Sequence, residues 1–151
     1  MRQFFSVLIT AILCHSPWAS AQTLFGLARI DAPSSYVRDH AWRQVEIHLE
    51  ISQSVPYRIY QLDNPMQMIV EFNEVIFDGL KAESFDQSKR VANVQFGALG
   101  NGWSRLVLEL TEPLGIKSAE MKFDQQAGNS ILKIWVGPVT DEEFRQASRD
   151  P

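Results

Sequence analysis

A ten-residue segment occurs twice in this chain. Leu49-Glu-Ile-Ser-Gln-Ser-Val-Pro-Tyr-Arg58 aligns without a gap on Leu108-Glu-Leu-Thr-Glu-Pro-Leu-Gly-Ile-Lys117. Leu49 then meets Leu108, Glu50 meets Glu109, Ser52 meets Thr111 and Arg58 meets Lys117. At a slightly longer spacing Ile30 corresponds to Val94, and Met68-Ile69-Val70 to Leu132-Lys133-Ile134. A duplicated unit constrains the fold strongly, because whatever one copy becomes the other must become as well.

What each copy becomes is set by a period of two. In Val45–Ile51 (VEIHLEI) Val45, Ile47, Leu49 and Ile51 share one face, and Glu46, His48 and Glu50 share the other. Arg105–Leu110 (RLVLEL) alternates likewise, with Leu106, Leu108 and Leu110 inward. Strict alternation means strands buried on one side. Pro56–Phe72 (PYRIYQLDNPMQMIVEF) reads as a hairpin: a strand near Tyr57–Leu62, a turn at Asp63-Asn64-Pro65, and a strand near Met68–Phe72. Ile116–Phe123 and Ile131–Val136 form its counterpart around Gln125–Asn129, where Gly128-Asn129 supplies the turn. Thr23–Asp31 and Val91–Phe96 are further strands, while Ala32–Arg43 and Phe77–Lys89 read as irregular connections. Each half thus contributes about four strands, each with one apolar face. The expected fold class is all-β, a sandwich of two similar, roughly four-stranded sheets, with a closed barrel as the alternative.

The amino terminus reads as a separate unit. Arg2 supplies a positive charge, Phe4–Leu13 a short apolar run, and Ala19-Ser20-Ala21 a cleavage site before Gln22. Residues 1–21 therefore read as a signal peptide for export, with an apolar run too short for the roughly 20 residues that span a bilayer. No transmembrane segment is expected after cleavage. Cys14 is the one cysteine in the chain, so the exported form would rely on its core without a disulfide. At the other end Thr140-Asp-Glu-Glu143 fits a capping box, and Val139–Pro151 is charged and linker-like.

Charge and motif content narrow the chemistry. The net charge is −4, or −5 without Arg2; no basic stripe for nucleic acid is present. His40 and His48 do not have H-E-x-x-H spacing, no G-x-S-x-G elbow occurs, and Gly97–Gly102 (GALGNG) precedes no Lys-Ser or Lys-Thr pair. Glu46, His48 and Glu50 on one strand face form a solvated polar surface rather than a metal site. Neither a catalytic residue nor a bound cofactor is expected in this chain.

The segment PYRIYQLDNPMQMIVEF, followed by VANVQFGALGNGWSRLVLEL, resembles the AMIN domain. Tyr57, Arg58, Leu62, Pro65, Ile69 and Glu71 match the first part of that family's pattern. Arg105, Val107, Glu109 and Leu110 match the second. Gln67 stands where the family usually has Arg, and Glu71 where it usually has Asp. The likeness covers about residues 24–138, within a domain of residues 22–138. It implies a non-catalytic periplasmic domain that binds peptidoglycan and localises an N-acetylmuramoyl-L-alanine amidase, with division proteins as further partners. Zinc would belong to that enzyme's catalytic domain, whose D-P-G-H-G-G motif is not in this chain. A docking module of a secretin-type complex and a small β-barrel ligand carrier are the rival readings.

Five residues are candidates for the wall-binding site: Arg58, Tyr60, Arg105, Glu109 and Trp135. Guanidinium groups bind peptide carboxylates bidentately, and Tyr60, Trp103 and Trp135 offer faces to sugars. Trp135 lies opposite the inward set Leu132, Ile134 and Val136, which exposes it. The competing assignment for Arg105 is a surface pair with Glu109 on the same strand face.

Overall fold

Cross-strand pairing follows the alternation read from the sequence. The computed structural model describes residues 27–149; the signal peptide expected at residues 1–21 lies outside them. The strands are β1 (Ala28–Arg29), β2 (Tyr36–Asp39), β3 (Val45–Ile51), β4 (Tyr57–Leu62), β5 (Gln67–Asn73), β6 (Val75–Ile76), β7 (Asp86–Gln87), β8 (Val91–Gly100), β9 (Trp103–Leu110), β10 (Leu114–Asp124) and β11 (Asn129–Pro138). Two short α-helices, α1 (Ala82–Phe85) and α2 (Asp141–Ala147), and a single 3₁₀ turn at Ala41–Arg43 complete the described fold.

One sheet has the order β4-β5-β9-β8, the other β10-β11-β3-β2-β7, and β1 pairs with β6 in a small parallel ribbon. The fold is the expected all-β sandwich, with β7 adding a fifth strand to one sheet. Register shows how the duplication is built. Leu106 on β9 is flanked by Val70 and Phe96, and Ile47 on β3 by Ile134 and Val37. Mapping β2-β3-β4-β5 onto β8-β9-β10-β11 therefore turns each sheet into the other. Each sheet takes two of these strands from each half.

The core lies between the sheets. Ile47, Leu49, Leu132 and Ile134 face Met68, Val70, Leu106 and Leu108, all at 0% exposure. Each such side chain contributes about 1.5–3 kcal/mol by leaving water. The two sheets form the walls and their inward side chains fill the space between them, so the barrel alternative does not describe this molecule.

Several expectations need correction. Ala32–Arg43 is not merely a connection, because it contains β2. Only Val37 of those four residues is buried, too little alternation to show as a strand. Thr23–Asp31 gives only β1 within the described residues, and Ile30 bridges Ile51. The structural partner of Val94's strand is therefore β2, not the segment around Ile30. The 77–89 crossing is not irregular throughout, since it carries α1 and also β7, which pairs with β2, and it is packed, with Phe77, Leu80 and Phe85 buried.

The tail expected to be linker-like begins with a docked helix. Thr140 caps α2 and the reciprocal contact from Glu143 completes the capping box. Phe144, 1% exposed, carries the helix into the core cluster, and α2 touches both β4 and β10. Where the chain enters the helix, Val139 packs so closely on Gly115 that a Cβ there would stand 2.6 Å from Val139 Cγ1.

Candidate functional site

The central strand β5 carries a carboxylate on its outer face. Met68, Val70 and Phe72 point into the sandwich, so Glu71 should be open to solvent by alternation. It is instead fully buried. The explanation is its neighbours in register: Arg58 on β4 and Arg105 on β9 stand directly opposite it. Their long side chains fold over the carboxylate and cover it.

The contacts are specific. Arg105 Nε donates to Glu71 Oε1 at 2.8 Å, and Arg105 Nη2 donates to the same oxygen. Arg58 Nε donates to Oε2. The Tyr60 hydroxyl donates to Oε1 at 2.9 Å and accepts from Arg105 Nη2 at 3.2 Å. The Arg58 guanidinium also lies 5.0 Å from the Trp103 ring centroid, a cation–π contact. Burial pushes the Glu71 carboxyl up, but the hydrogen bonds from Arg105, Tyr60 and Arg58 outweigh it and hold the group below its ordinary range. Burial and the bond to Glu71 push the Tyr60 hydroxyl up, so it stays protonated at neutral pH.

Two guanidinium groups against one carboxylate leave the cluster with one net positive charge. Neither terminal nitrogen of Arg58 is engaged by Glu71 or Tyr60, and neither is Nη1 of Arg105. With side-chain exposures of 62% and 36%, both arginines present these donors at the surface. The chemistry available is recognition of an anion by pre-oriented donors.

Of the five candidates, Arg58, Tyr60 and Arg105 are brought together. Glu109 is not: it pairs in register with Gln67 and Asn93. Four residues along an extended strand separate it from Arg105 by about 13 Å. For that reason Arg105 pairs across the ladder with Glu71, not along β9 with Glu109. Trp135 belongs to the other sheet, opposite Glu46 on β3. It is half-buried, with the His40 ring 4.8 Å away edge-on, so the exposure expected for it is only partial.

Glu71 is the residue that sequence reasoning missed as a partner. The signal was present, since the turn after Leu62 sets Leu62 opposite Gln67 and hence Arg58 opposite Glu71. Trp42, 84% exposed with φ of 62°, is a second omission. Nothing in the sequence around it marks the left-handed backbone that lifts it from the surface.

The equivalent face of the other sheet is chemically different. Glu46 is buried beneath His40 Nε2 at 2.8 Å and Lys133 Nζ at 3.4 Å. Tyr36 stacks on His48 at 4.9 Å and Arg38 lies over Tyr36. This face is packed, not solvated as expected, because the aromatic rings and Lys133 close over it. Burial, then Lys133, lowers the His48 pKa against the opposing pull of Glu46 and Glu50. Among the described residues no group of three or more His, Cys, Asp or Glu side chains is arranged to hold a metal ion.

Two shallow grooves border the arginine cluster. One, of about 260 Å³, lies on the β8 side of Arg105, lined by Gln95, Gly97, Leu99 and Val107. The other, about 360 Å³, runs between β4 and α2 past Tyr60 and Phe144. Comparison with protein families gives a match to the AMIN domain over residues 36–133, from β2 into β11. Compared with curated proteins, the chain matches none.

Proposed function

The chain belongs to the AMIN domain family, and from that premise we propose that it binds peptidoglycan through the outer face of the β4-β5-β9-β8 sheet. AMIN domains are non-catalytic targeting domains of the periplasm. No described helix is long and apolar enough to cross a membrane. In our reading residues 1–21 direct export, and the bound domain places an N-acetylmuramoyl-L-alanine amidase on the wall during division. The zinc chemistry then belongs to that enzyme's catalytic domain.

The observation that supports this most directly is the cationic row on β4, β5 and β9. Peptidoglycan offers peptide carboxylates beside sugar hydroxyls. Arg58 and Arg105 keep free donors while Glu71 and Tyr60 fix their orientation. The chain's overall negative charge gives no general attraction to an anionic wall, so recognition must be local. Trp103 beneath Arg58 adds an aromatic surface beside those donors.

Co-sedimentation with purified sacculi tests the proposal. The protein should pellet with the wall, and Arg58→Ala and Arg105→Ala should each reduce the bound fraction. Pelleting no greater than that of an unrelated acidic protein would refute wall binding. Unchanged pelleting of both variants would refute the assignment to this face. Protein docking is a second reading with its own support: β10 is an edge strand, with Phe123 57% exposed, and edge strands accept partner strands. Retention of a periplasmic protein by immobilised domain, abolished by Phe123→Lys, would favour it.

A further inference from the structure

The row that carries the arginine cluster does not end at Arg105. In register across all four strands it reads Arg58, Glu71, Arg105, Gly97. The glycine needs a reason, because glycine in a strand interior sacrifices stability. Its backbone does not require it: among the described residues the glycines with positive φ are Gly79, Gly100, Gly102 and Gly128. Packing does not require it either, since a Cβ built at Gly97 meets nothing within 4 Å. What the missing side chain does is leave one flank of Arg105 open.

That flank is the groove of about 260 Å³. We propose that it receives the terminal carboxylate of a short peptide whose last residue is alanine-sized. This inference rests on the reading that the face binds peptidoglycan. The polar contact would be Arg105 Nη1, the terminal nitrogen that Glu71 and Tyr60 leave unused, with the Gln95 amide beside it. Because Nε and Nη2 are tied to Glu71, the guanidinium is held in place before any ligand arrives. Beside Arg105 and Gln95, the residues Ala98, Leu99 and Val107 give the rest of the groove an apolar lining, which suits a methyl group next to the carboxylate. Its volume of about 260 Å³ falls below the roughly 300–1,000 Å³ of sites for drug-sized ligands, so it suits the end of a peptide rather than a large ligand. Wall peptides and protein C-termini share this chemistry and differ in chirality.

The test is an NMR titration of the ¹⁵N-labelled protein with N-acetyl-alanyl-alanine, in D,D and L,L forms, and with the corresponding carboxamides. The free acid should shift the Gly97 and Leu99 amides and the Arg105 Nε–H. The carboxamide should bind at least about tenfold more weakly, having lost the charge-assisted bond. Preference for the D,D form supports a wall peptide as the occupant, whereas preference for the L,L form points to a protein C-terminus and overturns the peptidoglycan reading of this groove. Gly97→Val, a β-branched residue suited to a strand, should abolish the shifts while leaving the Tyr60 and Trp103 signals in place. Equal affinity for acid and carboxamide in the unaltered protein would overturn the proposal whether or not the variant folds. So would undiminished binding to Gly97→Val, or no response to any acid. If the protein pellets with sacculi yet ignores these peptides, the groove assignment alone falls. If it does neither, the wall-binding reading falls with it.

Discussion

Arg105→Ala is the substitution whose cost follows most directly from the geometry. It removes both hydrogen bonds that Arg105 makes to Glu71 and its bond to Tyr60. A hydrogen bond to a charged group contributes about 1.5–3 kcal/mol, and stranding a fully buried ion costs about 3–5 kcal/mol. Two features reduce that figure. Arg58 and Tyr60 still reach the carboxylate, and the Arg105 side chain is itself 36% exposed, so truncation admits water. The expected loss is about 2 kcal/mol at pH 7, or about 6–10 °C in Tm for a domain of this size.

The pH dependence has a definite sign. Glu71 is held below its ordinary range in the folded state. Its contribution is therefore complete above the unfolded carboxyl pKa of about 4.3 and is lost as pH falls through the lower folded value. The gap between Arg105→Ala and the unaltered protein should be full at pH 7 and close progressively below about pH 4. Urea unfolding followed by tryptophan fluorescence measures it, and the same substitution on a Glu71→Gln background measures the coupling, expected at about 1–2 kcal/mol. A loss under about 0.5 kcal/mol, the level of an exposed pair, would refute the reasoning. A loss of the right size that does not diminish in acid would refute its assignment to Glu71.

Four further outcomes are expected. Arg58→Ala should cost less than about 1 kcal/mol, because that side chain is mostly exposed, while shifting Trp103 emission through loss of the cation–π contact. Phe144→Ala should cost about 3–5 kcal/mol by calorimetry, as a buried aromatic does; a loss under about 1 kcal/mol would mean α2 is not part of the core. Gly115→Ala should destabilise by about 1–3 kcal/mol through its clash with Val139, and Val139→Ala should relieve it in the double variant. Because the folded His48 pKa lies below its unfolded value, its stabilising effect is present above about pH 6.5 and is lost as pH falls through the folded value. Unfolding scans of His48→Gln should lack that component, and an NMR imidazole titration with a midpoint at or above 6.5 would contradict it.

The features legible in the sequence were those with a local or repeated signal. Val45–Ile51 and Arg105–Leu110 alternate so clearly that their inward residues could be assigned one by one, and Val45, Ile47, Leu49, Ile51, Leu106, Leu108 and Leu110 are all buried, although the outward Glu46 is buried as well. The duplication indicated two matching sheets and paired Met68–Val70 with Leu132–Ile134, as the register bears out. Short strands escaped detection: β2 has one inward apolar residue and β7 none that is buried. The functional cluster was half legible. Arg58 and Glu71 are fixed opposite each other by counting back from one turn. Arg105 joins them only through the pairing of β5 with β9, two strands more than 30 residues apart in the chain, and no local pattern encodes that choice. The groove beside Gly97 was hidden for the same reason.

The interleaving of the two halves limits what either could do alone. The central ladders, β5 on β9 and β11 on β3, each join one half of the chain to the other, so neither half closes a core by itself. Two separate copies of one half could build this sandwich only as an intertwined homodimer, with both outer faces identical. Holding both copies in a single chain removes that symmetry requirement. One face keeps two arginines around a carboxylate while the other buries Glu46 among histidines, a lysine and aromatic rings. Covalent linkage thus lets a change on one face be judged without its echo on the other.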